Sequence, residues 1–592
     1  MSPENLGQLF KSTVGRFPKK EAIGFKQGER YRWVTWQEFG GKVDSIASTF
    51  MKKGLGSGDR IAILSENRPE WAAADLAAQS IGMITVPIYP SLTSAEIQYI
   101  LQDSGAKVVA VSNKELLAKL IPIQKNLRDL SWILGFDTSL SLEKMELGVP
   151  IVTMKEIEKE ASDPDLLKKR LAAVRPEDLC SIIYTSGTTG VPKGVMLSHS
   201  NFIENVLACE TALRMSSSDV HLSFLPLCHV FERMAGHYLM IRIGARIAYA
   251  ESLETVPKNL AEVRPTFLLG VPRFFEKTRD RVLEAVKAAP PSKQKLFFWA
   301  KSLGERQRTG HGGGLLFRIG RLIAEKLVYK KFRKRLGGRI RFCISGGAAL
   351  CVELAEFFSD LGVMIYEGYG LTETSPVIAV NREGQFKFGT VGIPLENVQV
   401  KISDEGEILT AGPCVMKGYW NKPAETQEVL SEGWFCTGDL GRIDSEGFLA
   451  ITGRKKELIV TSGGKKISPR PIEESVESDP YILRCVLFGE GRKFITALIV
   501  PRREKLLDFA KETKSAFRDY ADLLKDEKIY RFLEERIAAK CCDLANFEKI
   551  KYFALLENDF SQSDGELTPT LKVKRETVLA KHREALDRFY VD

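Results

Sequence analysis

The sequence predicts an α/β fold with a large N-terminal domain of doubly wound sheets, a small β-rich subdomain and a smaller α+β C-terminal domain. Three observations predict it. Apolar strands alternate with helices through the first 180 residues, the texture shifts to short strands and Gly-rich turns from about residue 388, and helices rich in Lys, Glu and Leu follow Arg454.

Each element has a local reason. Arg60-Ile-Ala-Ile-Leu64 reads as a buried strand, Glu70 to Ile81 as a helix, and Met83-Ile-Thr-Val-Pro87 and Lys107-Val-Val-Ala-Val-Ser112 as further strands. Uninterrupted apolar runs of this length suit parallel strands covered on both faces. Cys180-Ser-Ile-Ile-Tyr184 and Gly194-Val-Met-Leu-Ser198 are two more, and they predict a hairpin around the loop between them. Helical stretches, with no strand among them, are expected from 255 to 337 and lead to the strand Arg339-Ile-Arg-Phe-Cys-Ile344, which ends at Ser345-Gly-Gly347. Val363-Met-Ile-Tyr366 is another short strand; Gln399–Ile402, Gly406–Leu409 and Phe448–Ile451 belong to the β-rich part. Domains are expected at 1–453 and 457–592, with 454–456 between them.

A chain of 592 residues exceeds one hydrophobic core and suggests three or four domains or subdomains of about 150 residues each. With 44% hydrophobic and 27% charged residues it has the composition of a soluble globular protein. Met1-Ser-Pro-Glu-Asn-Leu-Gly-Gln lacks the basic and apolar regions of a secretory signal, and Trp71 to Ala95 is broken by Asp75, Gln79, Pro87 and Pro90, a poor membrane span. A cytoplasmic protein is expected. None of the ten cysteines forms C-x-x-C and the six histidines lack ligand spacing, so no structural zinc is expected. The charge of +9 weakly favours anionic ligands or surfaces, and no nucleic-acid partner is expected.

The densest chemical signal is Tyr184-Thr-Ser-Gly-Thr-Thr-Gly-Val-Pro-Lys-Gly194. Gly187 and Gly190 let backbone approach an anion, Thr185, Ser186, Thr188 and Thr189 add hydroxyls, and Lys193 adds a mobile positive charge. A phosphate-holding loop is the natural reading. It is not the P-loop of kinases and GTPases, which needs Lys directly after Gly and a hydroxyl directly after Lys, because Pro192 precedes Lys193 and Gly194 follows it.

This motif resembles the signature of the adenylate-forming enzymes, which include acyl-CoA synthetases, peptide-synthetase adenylation domains and firefly luciferase. Glu367-Gly-Tyr-Gly-Leu-Thr-Glu-Thr374, Gly433-Trp-Phe-Cys-Thr-Gly-Asp439, Gly453-Arg-Lys-Lys-Glu457 and Leu567-Thr-Pro-Thr-Leu-Lys572 follow in the family's order across almost the whole chain. The resemblance implies ATP, Mg²⁺ and CoA as reactants and an active site between a large and a small domain. It assigns Lys193 and its loop to the β- and γ-phosphates, and Gly347, Glu367, Gly368, Tyr369 and Gly370 to the adenine region. Thr372 falls to the α-phosphate and Glu373 to the metal; Asp439 and Arg454 fall to the ribose. Lys572 becomes the charge that bridges carboxylate and α-phosphate, although Leu571 stands where the family usually has Gly. Lys456 becomes the hinge of a mobile C-terminal domain, and Gly463-Gly464 the loop that borders a pantetheine arm.

Leu225-Pro-Leu-Cys-His229-Val-Phe-Glu-Arg233 resembles the segment bordering the acyl carboxylate, with His229 beside the reacting group. Some similar bacterial sequences carry a gating Trp four residues after this His; Arg233 here argues against such a gate. With Gly270-Val-Pro-Arg-Phe-Phe-Glu-Lys277 these residues look most like the long-chain fatty acid branch, which implies acyl-CoA formation, with an acyl-acyl carrier protein synthetase as the alternative. Within residues 316–341, Arg318, Arg321, Lys326, Lys330, Lys331, Arg333, Lys334 and Arg335 alternate with apolar residues, a pattern suited equally to the inner face of an anionic membrane and to a core helix with a solvated basic face. Chain-length preference and oligomeric state are left open.

Overall fold

The alternating strands and helices of the sequence assemble into two large sheets. The structure, a computed structural model, describes residues 3–142, 148–158, 162–185, 191–513, 515, 517–568 and 572–590. It divides into a first unit of Met1–Lys401, Leu409–Thr437 and Asp444–Leu449, and a second of Ile402–Ile408, Gly438–Ile443 and Ala450–Asp592.

In the first unit an eight-stranded sheet has the order Gly418–Tyr419, Lys193–Ser198, Leu179–Thr185, Ile84–Ile88, Arg60–Leu64, Val108–Val111, Trp132–Gly135, Ile151–Thr153. The last six are parallel. The Leu179–Thr185 and Lys193–Ser198 pair is the antiparallel hairpin read from the sequence, with Thr185 opposite Lys193. Ile61, Ala62, Ile63 and Leu64 have no exposed surface, which explains an apolar run without alternation. The Pro69–Ser80 helix begins on a proline whose missing N–H costs nothing in the first turn. Its five alanines let it pack closely, and all but one of its twelve residues are buried.

The second sheet has nine strands: Ile393–Pro394, Val377–Val380, Met364–Gly370, Phe342–Ser345, Phe267–Gly270, Val220–Ser223, Arg246–Tyr249, Glu21–Gln27, Arg30–Thr35. Its six central strands, from Met364–Gly370 to Glu21–Gln27, are joined by five pairings, all parallel. Here one expectation is corrected. Residues 255–337 are not helical throughout, because Phe267–Gly270 is a fully buried strand within them. Four apolar residues between Pro265 and Pro272 are too short for a helix and match a two-sided sheet position. The following strand begins at Phe342 rather than Arg339, after Gly337 and Gly338 turn the chain at φ of 95° and 80°.

Between residues 399 and 454 five short strands, Gln399–Ile402, Glu407–Ala411, Leu430–Ser431, Trp434–Ile443 and Leu449–Arg454, form one sheet. The second unit has its own apolar cores around a three-stranded sheet, Ile482–Phe488, Ile495–Pro501 and Ile550–Leu555. Among the described residues no helix is long and apolar enough to cross a membrane.

Candidate functional site

Four neighbouring parallel strands of the nine-stranded sheet finish at the same end, and each is followed by a segment singled out by the sequence. Val220–Ser223 leads to His229, Phe267–Gly270 to Val271-Pro272, Phe342–Ser345 to Gly346-Gly347, and Met364–Gly370 to Thr372-Glu373. Their registers pair Gly270 with Ser345 and Ser345 with Glu367. Carboxyl ends of parallel strands form the crevice in which open α/β sheets bind ligands.

Side chains fix this crevice. The Leu350 amide donates to Glu367 Oε1 at 2.9 Å, which ties the Ser-Gly-Gly segment to the next strand. A Cβ at Gly346 would stand 3.0 Å from the Phe231 ring, so that glycine lets the His229 segment lie against the strand end. Gly370 has a firmer requirement: its Cβ would overlap the Pro376 carbonyl oxygen at 1.7 Å. Residues 367–373, which include Gly368 and Tyr369, are all half-buried, as expected of a crevice wall. His229 Nδ1 accepts the Phe231 amide at 3.2 Å, which assigns the ring proton to Nε2.

The phosphate-loop residues Ser186, Gly187, Thr188, Thr189 and Gly190 lie outside the described residues. Their flanks, Thr185 and Lys193, stand opposite one another at the hairpin mouth. The Lys193 ammonium lies 5.0 Å above the ring of Tyr419, whose hydroxyl donates to Glu373 Oε1 at 2.9 Å. Burial and the Glu373 carboxylate raise the Tyr419 pKa, so this phenol stays protonated and remains a donor. Tyr419 thus joins the predicted phosphate lysine to the predicted metal carboxylate. Sequence reasoning missed it because Tyr419 is remote in the chain; the pairing of Tyr419 with Val195 brings it there.

Asn67 was also missed. It donates to the Ser223 hydroxyl at 3.0 Å and the Leu225 carbonyl at 2.6 Å, and accepts the Leu227 amide at 2.8 Å, holding the segment before His229. Arg233 has no exposed surface. It pairs with Asp75, donates to Tyr238 at 2.9 Å and to Ser181 at 2.7 Å, and so sits in a core ion pair. Burial alone would raise Asp75, but Arg233 and the Tyr238 hydroxyl outweigh it and hold the carboxyl below its usual range. A π-helix, Glu232–Tyr238, carries Arg233 inward.

Within the second unit, Arg454 Nε donates to Asp439 Oδ1 at 2.7 Å, and Lys455 contacts Glu405 and Glu407 at 2.6 and 3.0 Å. Lys456 is exposed in the short 3₁₀ turn Lys455–Glu457. Lys572 is held where Leu567 bridges Val573, the Lys572 carbonyl accepting the Thr568 amide at 2.8 Å. The residue keeps solvent contact, yet protein crowding its ammonium, then Arg454 and Arg470, push its pKa down to about 8 against the pull of Asp439 and Glu457. Water on the exposed side screens these charges and tempers the displacement. Lys572 therefore shares an electrostatic neighbourhood with Asp439 and Arg454. Arg575 anchors the chain after this bridge through Glu473, at 2.5 and 2.6 Å to its two oxygens.

Gly464 occupies φ 72° in the turn between Ile459–Val460 and Lys466–Ile467, and a Cβ there would meet nothing within 4 Å. Its requirement is backbone conformation rather than crowding. At Gly463 the nearest atom to an added Cβ is Thr461 Oγ1 at 4.0 Å, so a side chain fits there without that strain.

Among the described residues no three His, Cys, Asp or Glu groups are gathered as a metal site. Glu373 alone fits Mg²⁺, which commonly takes one or two carboxylates and completes its shell with water and phosphate oxygens.

A crevice at strand ends, and a lysine joined through Tyr419 to a carboxylate of that crevice, suit an enzyme that binds a nucleotide. The chain belongs to the AMP-binding enzyme family: that family's pattern matches residues 10–420, and the AMP-binding enzyme C-terminal domain matches 456–592. The chain is 35% identical over 571 residues to the long-chain fatty acid–CoA ligase FadD15 of Mycobacterium bovis, covering 94% of this chain and 92% of that protein. It is 32% identical over 627 residues to the long-chain fatty acid–CoA ligase ACSBG2 of Xenopus laevis, covering 100% and 84%. In fold it is similar to the adenylation domain of a carboxylate reductase from Mycobacterium chelonae, with TM-score 0.78 at 20% identity over 99% of this chain and 91% of that one.

Proposed function

We propose that this enzyme activates a medium- or long-chain fatty acid with ATP as an acyl adenylate and transfers the acyl group to CoA, giving acyl-CoA, AMP and pyrophosphate. The observation that carries this reading is the full-length kinship with proteins named long-chain fatty acid–CoA ligases in bacteria and vertebrates.

A carboxylate reacts poorly with a thiol because its leaving group is poor; AMP is a good one. In the first step the carboxylate oxygen bonds to the α-phosphorus and the bond to pyrophosphate breaks. Lys193 and its loop neutralise the departing phosphates, Thr372 donates to the α-phosphate, and Tyr369 with Gly347, Glu367, Gly368 and Gly370 lines the adenine side. His229, through Nε2–H, orients the acyl carboxylate. Bound through Glu373, Mg²⁺ would supply charge neutralisation at the phosphates. Asp439 accepts the ribose hydroxyls beside Arg454, and Lys572 supplies positive charge to the transition state. In the second step the thiolate attacks the acyl carbon and AMP leaves, with Gly463 and Gly464 bordering the pantetheine and Lys456 as the hinge in 454–456, between domains 1–453 and 457–592.

The acceptor is proposed to be CoA, and residues 316–341 are proposed to meet a membrane periphery. ATP-to-AMP conversion with palmitate, run with CoA, with acyl carrier protein and with neither, tests the reading. Palmitoyl-CoA is the expected product by mass. Palmitoyl-carrier protein would replace the acceptor, and absence of AMP across a panel of acids would overturn the activity.

A further inference from the structure

The helix that the sequence marks as basic carries its largest apolar face on the outside. Residues 314–335 run as one helical rod through Gly314–Ala324, Glu325–Tyr329 and Lys330–Arg335. Ala324, Val328, Tyr329 and Phe332 face the core and are buried. A second apolar stripe, Leu315, Leu316, Ile319, Leu322 and Ile323, has the i, i+1, i+4, i+7, i+8 spacing that normally faces a core. Here it faces water: Leu316 is 86% and Leu322 71% exposed.

Two features make this more than scattered surface leucine. First, the stripe is continuous with the neighbouring Pro291–Arg308 helix, where Phe298 and Trp299 are also exposed and Trp299 lies 3.5 Å from a Cβ built at Gly320. Second, the platform is held firmly. A Cβ at Gly304 would overlap the Asp360 carbonyl oxygen, Lys301 and Arg308 bind the buried Asp360 at 3.1 and 2.9 Å, and Tyr329 donates to the Ala300 carbonyl at 2.6 Å.

Charge completes the pattern. Residues 314–335 hold eight Lys or Arg against the single acid Glu325. Past the stripe the rod widens into the π-helical turn Glu325–Tyr329, and Lys326, Lys330, Lys331 and Lys334 are exposed there and in the turns that follow, so the rod is greasy toward one end and cationic toward the other. We infer that this face lies in the surface of an anionic lipid bilayer, with Leu315, Leu316, Ile319, Leu322, Ile323 and Trp299 among the acyl chains and Lys326, Lys330, Lys331 and Lys334 at the headgroups. The apolar end, rather than the basic run visible in the sequence, is the insertion element. A second copy of the chain is the poorer occupant, because twofold pairing would bring two such cationic helices together. The choice of a lipid surface rests on fatty acid as the substrate class, since such acids partition into membranes, yet the binding is measurable without turnover.

The test is flotation of the full chain, without ATP, with phosphatidylcholine vesicles and with vesicles that also contain phosphatidylglycerol. Binding is expected only to the anionic vesicles, to weaken as salt rises, and to fall about a hundredfold in Leu316→Glu/Leu322→Glu. These exposed positions leave the fold intact, so this variant should keep its rate on a short, water-soluble acid. Absence of flotation by active wild-type protein overturns the inference and leaves the ligase reading standing. Flotation by protein that forms no AMP does the reverse. Concentration-dependent dimerisation abolished by the same variant would reassign the face to a self-interface.

Discussion

Lys572 is the residue on which the proposed first step turns. Its pKa is pushed down from 10.5 to about 8, so its ammonium is present at neutral pH and is lost as pH rises through about 8. The expected outcome is an alkaline fall in pyrophosphate release with a midpoint below the ordinary lysine range, and solvent screening holds it at or above that value. Lys572→Arg, charged throughout, should lack this limb, and an unchanged limb in that variant would assign it to another group. Tyr419 offers a second residue-scale prediction. Tyr419→Phe removes the hydroxyl that holds Glu373, a bond to a charged group worth about 1.5–3 kcal/mol, so the KM for MgATP should rise about tenfold. An unchanged KM with altered protein stability would make Tyr419 a packing residue only. Neither relationship was readable beforehand. The motif containing Lys572 was visible as a run of letters, but the lowered pKa arises from protein packed around the ammonium and then from Arg454 and Arg470, more than a hundred positions away.

At the scale of elements, the sequence was most legible where one physical rule acted alone. Arg60–Leu64 and Val108–Val111 are apolar on both faces and nothing competes with a buried strand there. Phe267–Gly270 was hidden because its four residues sit between helical patterns, and pairing with Phe342–Ser345 on one side and Val220–Ser223 on the other makes it a strand. The crevice was legible as a set of motifs, while its fixings, Asn67 and Phe231, were not, since they act across the sheet rather than along the chain. Arg233 shows the same limit. Its position suggested only that a Trp gate was missing; the structure puts it in a fully buried pair with Asp75. Asp75→Ala should therefore cost about 3–5 kcal/mol by leaving the guanidinium charged and unpaired in the core. Asp75→Leu/Arg233→Met should regain much of the loss. Urea unfolding checks this, and a wild-type midpoint for Asp75→Ala would show that water reaches the site.

For the whole molecule, the two-unit division places the predicted chemistry in two sets. Lys193, His229, Tyr369 and Glu373 belong to the first unit; Asp439, Arg454, Gly463 and Lys572 belong to the second. A ligase of this design separates its half-reactions by residue. Gly463→Leu adds bulk without left-handed strain, so adenylate formation should stay near the wild-type rate while acyl transfer to CoA falls about a hundredfold. Equal rates in both steps would remove Gly463 from the pantetheine path.

In the proposed mechanism activation and transfer are distinct steps served by distinct residues. The most direct measurement compares the two half-reactions in Lys572→Ala: pyrophosphate release from palmitate and ATP, and palmitoyl-CoA formation from supplied palmitoyl adenylate. Pyrophosphate release is predicted to drop about a hundredfold or more, with acyl transfer close to wild type. A parallel loss of both, in a variant that remains folded, would contradict the account.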